Sequence, residues 1–93
     1  MKIVINTCFG GYGLSRKALD ELKVLHPEMS DYRLKYDLPR NDPALVLVVD
    51  RLGEAANGPH ADLKIVEIPD GVDWKIDAYD GAEHIAEKHR TWR

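Results

Sequence analysis

This chain of 93 residues holds little of several things. Its one cysteine, Cys8, excludes an internal disulfide framework. No apolar run approaches the roughly 20 residues of a membrane helix; the longest, Ala44 to Val49, is six. Basic residues are not in excess: 13 Lys and Arg stand against 16 Asp and Glu, a net charge of -3. A broad grip on the phosphate backbone of double-stranded nucleic acid is therefore disfavoured. No secretory signal is read, because Met1-Lys2 leads straight into a short strand-like run and then Asn6. Internal repeats and low-complexity stretches are lacking too.

The hydrophobic share, 44%, is too high for a disordered chain. Folding a chain of this size buries roughly two-thirds of its surface, enough for one modest core. One cytoplasmic domain spanning 1–93 is expected, with no membrane contact. The charge is uneven. Asp62 to Glu87 holds eight acids and two lysines, and Lys88 to Arg93 then holds three basic residues and no acid. The acidic density is ordinary for a solvated surface.

Lys2 to Asn6 is a β-branched run suited to a buried strand. Three glycines follow within Gly10–Gly13, and Ser15 then offers an N-cap for a helix from Arg16 to about His26. In residues 28–42, Tyr32, Leu34 and Tyr36 alternate with charged residues, which predicts an edge strand or an extended loop. Asn41-Asp42-Pro43 is a helix start, so Ala44 onward is read as helix to about Ala56. Leu63–Ile68 and Trp74–Tyr79 read as strands, paired as an antiparallel hairpin. Asp80-Gly81 breaks the second, and Ala82 to His89 is read as a short helix. The fold expected is α+β. A small mixed or antiparallel sheet, from strands near 2–7, 63–68 and 74–79, carries two main helices on one face, and the short C-terminal helix closes an end.

Two patches concentrate chemistry. In the first, Asn6 to Ser15, a glycine loop between strand and helix can aim backbone N–H groups at one point, and the helix N-terminus favours an anion there. The spacing is neither a dinucleotide fingerprint nor a phosphate loop of nucleotide hydrolases. Cys8 could be a nucleophile, but no spacing pairs it with His26, His60, His84 or His89, and a lone cysteine is commonly a small buried hydrophobe. The second patch runs from Tyr79 to Arg93. His84 and His89 lie about 140° apart on a helix, so they do not chelate one metal there. Arg90 suits phosphate and Trp92 offers a stacking face. If the patches meet, they would hold a small anionic ligand with a ring, nucleotide-like in kind. Gly10, Gly11, Gly13 and Ser15 would donate, Phe9, Tyr12 and Trp92 would stack, and His89 and Arg90 would meet the phosphate. Neither metal nor cofactor is expected, and a ligand site shared between two copies of so small a chain is a candidate arrangement.

The same stretches resemble a group of short phage and prophage proteins. The likeness is carried by Asn6-Thr7-Cys8-Phe9-Gly10-Gly11-Tyr12-Gly13-Leu14-Ser15, by Ala56-Asn57-Gly58, by Leu63 to Asp70, and by the Tyr79-Asp80-Gly81 to Glu87-Lys88-His89-Arg90-Thr91-Trp92 ending. It implies a phage setting in the host cytoplasm. Small accessory proteins of that kind counter host defence by trapping a nucleotide signal or by binding a protein. Two expectations follow: a non-enzymatic sequestering protein, or a protein–protein inhibitor or adaptor using the acidic hairpin and the basic tail.

Overall fold

The structure is a computed structural model that describes residues 1–87. In chain order it has β1 (Lys2–Asn6), α1 (Arg16–Leu25), α2 (Asp31–Tyr36), α3 (Pro43–Leu52), a 3-10 turn (Gly53–Ala56), β2 (Leu63–Glu67), β3 (Trp74–Tyr79) and β4 (Ala82–Glu87). Strands β1 and β2 form one antiparallel pair, β3 and β4 another. The chain is a small α+β domain.

Local chemistry starts each long helix where expected. The Ser15 hydroxyl accepts from the Ala18 N–H, and the Asp42 carboxylate accepts from the Leu45 N–H, with Pro43 opening the first turn. Helix α1 turns Ala18, Leu19 and Leu22 inward, and α3 turns Leu45, Val48 and Val49 inward. Both pack over one face of β1–β2, against Val4, Leu63 and Ile65. Leu22, Leu34 and Leu45 are almost wholly buried, each contributing about 1.5–3 kcal/mol. An Arg51–Glu21 ion pair spans α3 and α1 at the surface.

Three expectations are corrected. Residues 31–36 form a helix and neither an edge strand nor an extended loop. The Ser30 hydroxyl accepts from the Arg33 N–H, and only Leu34 is buried. Tyr32 and Tyr36, four apart, pair on the exposed side at 4.9 Å between ring centres, so their alternation never marked a half-buried strand.

The hairpin is also not the expected one. Ile68 exchanges hydrogen bonds with Met1, donating its N–H at 2.9 Å and accepting from the terminal amine at 2.8 Å. That ties β2 to β1, and the chain leaves this sheet at Pro69.

Residues 82–87 are a strand, not the start of a C-terminal helix. Asp80 (φ 50°) and Gly81 (φ 88°) both take positive φ, as a two-residue hairpin turn of the primed type requires. The chain folds straight back, Ile85 comes opposite Ile76, and this pairing overrides helix propensity in Ala82–Glu87. The sheet expected from three strands is thus two separate pairs.

In β1–β2, Met1 pairs with Ile68 and the Thr7 N–H reaches the Asp62 carbonyl at 2.8 Å. Antiparallel alternation then assigns the inter-strand bonds to the odd-numbered residues of β1. Lys2, Val4 and Asn6 aim their backbone groups off one edge, and Leu63, Ile65 and Glu67 aim theirs off the other.

Candidate functional site

Asn6 ends a buried strand and is itself 0% exposed. A buried amide must find partners, and this one fills its capacity. Its Nδ2 donates to the carbonyls of Cys8 and Gly81, both at 2.7 Å. Its Oδ1 accepts from the N–H of Asp62 at 2.8 Å and of Cys8 at 3.2 Å. One side chain thereby joins the end of β1, the glycine loop, the approach to β2 and the β3–β4 turn.

The outward groups of Val4 and the Asn6 N–H are met by Arg40, through its carbonyl and its guanidinium, and by Glu83. The Asn6 N–H donates to Glu83 Oε1 at 2.8 Å. The Val4 N–H donates to the Arg40 carbonyl at 2.9 Å, and Arg40 Nη1 donates back to the Val4 carbonyl at 3.3 Å. Arg40 also forks onto Glu83, with Nη1 at 2.6 Å from Oε1 and Nη2 at 2.9 Å from Oε2. Burial pushes the Glu83 carboxyl up, but the Arg40 guanidinium and the Asn6 N–H outweigh it and hold it below the usual glutamate range. Arg40 lies over the Tyr12 ring, 3.5 Å from its centre. Burial pushes the Tyr12 phenol up to about 12, against the pull of Arg40.

The glycine loop is bound to its surroundings by backbone contact. A Cβ on Gly81 would stand 2.6 Å from the Gly11 nitrogen and 2.8 Å from the Phe9 carbonyl oxygen, so the turn sits on the loop with no room for a side chain. Gly10 lies equally close to His60. Gly13 accepts from the Gly58 N–H at 3.0 Å. The Ser15 hydroxyl caps α1 and donates to the Ala55 carbonyl at 2.6 Å, while the Ser15 N–H is taken by the Ala56 carbonyl. The Ser15 hydroxyl and N–H are thus both committed at the helix N-terminus. Phe9 is 69% exposed.

The two sequence patches therefore meet, but through Gly81 and Glu83. His89, Arg90 and Trp92 lie outside the described residues. Reading the sequence missed Arg40, an isolated charge in a loop, and the role of Asn6; a polar residue closing an apolar strand was the available signal.

A depression of about 190 Å³ opens beside the loop. Tyr12, Gly13 and Leu14 line it from the loop, Lys35 and Tyr36 from α2, and Pro59 from the far side. It combines aromatic faces with one amine. Among the described residues no group of three His, Cys, Asp or Glu side chains is placed to hold a metal. Comparisons with protein-family models, curated proteins and solved structures returned no match.

Proposed function

We propose that this chain is a non-catalytic binding protein for a small anionic, ring-bearing ligand of the nucleotide kind. The supporting observation is the depression in which Tyr12 and Gly13 of the loop stand beside Lys35 and Tyr36. Tyr36 is 70% exposed and offers a stacking face. Lys35 offers a point charge for phosphate. Tyr12, backed by Arg40, is held in place on the loop side. The Ala18 N–H at the α1 N-terminus is spent on the Ser15 cap, and the charge would come from Lys35. In the phage setting that the sequence resemblance implies, such binding would sequester a host defence signal.

The test is a thermal-shift and calorimetric screen against linear and cyclic nucleotides. A binder is expected whose affinity falls about tenfold in Lys35→Ala and in Tyr36→Ala, each an exposed-face change with little effect on folding. A screen with no binder, or one indifferent to both changes, overturns the reading.

A second reading has its own support. Phe9 and Tyr79 are both exposed, and Gly81 places the β3–β4 turn against the Phe9 carbonyl, so the two residues sit on segments that touch. Exposed aromatics on neighbouring segments suit a protein–protein inhibitor or adaptor. A pull-down that fails on Phe9→Ser and Tyr79→Ser, beside a blank nucleotide screen, would favour it.

A further inference from the structure

We propose that the outer edge of β2 is a self-association surface. Two copies of this chain would join antiparallel through Ile65 and Glu67, merging two two-stranded sheets into one of four strands. The outward N–H and C=O groups of these two residues have no hydrogen-bond partner among the described residues. An unpaired strand edge is a template for another strand.

The length of the open stretch selects the occupant. At one end the Leu63 N–H is already taken by Asn57 Oδ1 at 2.8 Å. At the other, both backbone groups of Ile68 are taken by Met1, and Pro69 has no N–H to give. Both outward groups stay open on this edge only at Ile65 and Glu67, and a second copy presents the same short stretch. A two-fold pairing centred on Val66 sets Ile65 of each copy opposite Glu67 of the other. Four bonds form and the outward N–H and C=O groups of Ile65 and Glu67 on both copies are all used, while the Leu63 carbonyl comes opposite Pro69 and stays free. The side chains agree with this register. Val66 meets its own counterpart, a β-branched pair, and Lys64 comes opposite Ile68, so no like charges are directly opposed. A longer foreign strand would gain no further backbone bond from the Leu63 N–H or from Ile68, and at most one more, from the Leu63 carbonyl. Lys64 and Glu67 are exposed, so the edge is open to approach.

So short a seam gives a weak, concentration-dependent dimer. The test uses the whole chain in sedimentation equilibrium over roughly 10 µM to 1 mM, with amide hydrogen exchange across the same range. Dimerisation is expected, with the Ile65 and Glu67 amides gaining protection in step with dimer population. Glu67→Pro removes an outward N–H and leaves the β1–β2 ladder its bonds, and should weaken association by about tenfold or more. A chain that stays monomeric throughout overturns the proposal. So does a dimer whose Ile65 and Glu67 amides exchange at one rate at every concentration. Exchange on the unaltered chain decides the matter even if the proline variant folds poorly.

Discussion

The two edges of the β1–β2 pair are built on opposite plans. On the β1 side, the outward Val4 N–H and C=O and the outward Asn6 N–H are all answered, by the backbone and guanidinium of Arg40 and by the Glu83 carboxylate. These groups stand where a third strand would, and they bind β4 and the loop before α3 to the sheet at the same time. On the β2 side only the Leu63 N–H is answered, by Asn57, and among the described residues the Leu63 carbonyl and both outward groups of Ile65 and Glu67 stay open. Part of a strand edge can thus be closed by one loop carbonyl and two charged side chains, at the expense of burying an ion pair. Glu83 keeps 10% and Arg40 22% of its side-chain surface.

Changes on the closed side should be costly and changes on the open side nearly silent. Asn6→Leu keeps the bulk and strands the partners at Asp62, Cys8 and Gly81; a loss of about 4 kcal/mol is expected in urea unfolding. Arg40→Ala leaves the Glu83 carboxylate mostly buried without its partner, for about 3 kcal/mol. Arg40→Lys should recover only part of this, because a single ammonium cannot make the fork.

Acidity and alkalinity act on the same edge. The folded value of Glu83 lies below its unfolded one, so its contribution is full above the unfolded value of about 4.3 and fades as pH falls through the folded value. Tyr12 works in the other direction. Its stabilising effect is full below about 10 and fades as pH rises towards about 12. Thermal melts across pH should therefore be flat in the middle and fall on both flanks. Glu83→Gln should flatten the acid flank and Tyr12→Phe the alkaline one, and an unchanged flank in either variant would deny that group its place. The smallest effect is expected at the open edge, where Glu67→Thr should stay within about 0.5 kcal/mol in dilute solution. A loss comparable to that of Arg40→Ala would show that the edges are not different after all.

Much of this was legible in the sequence where local chemistry decides. The Ser15 and Asp42 caps, the apolar spacing of α1 and α3, and the β-branched run of β1 each point to what formed. The misreadings share a cause. Tyr32 and Tyr36 looked like one face of a strand because aromatic residues usually mark burial, yet here they pair in solvent while Leu34 alone turns inward. Ala82 to Glu87 is made of good helix formers, but the strict φ demands of Asp80-Gly81 fix a hairpin before propensity can act. The meeting of Gly81 with the glycine loop was expected only as a possible joining of two patches. Its true agents, Asn6 and the Arg40–Glu83 fork, lie far apart in the chain, where no spacing rule reaches.

The reach of Asn6 also sets a timetable. Its partners at Asp62, Gly81 and Glu83 lie 56 to 77 residues further along the chain and are synthesised well after it. At about 5–20 residues per second, the ribosome keeps β1 waiting for several seconds before its edge can be covered. Until then Ile3, Val4 and Ile5 are an uncovered sticky strand. Slower translation between Asn6 and Glu83, or a substitution at Gly81 that delays docking of the turn, would lengthen that exposure. Yield in cells should then fall further than the stability of the purified protein would foretell.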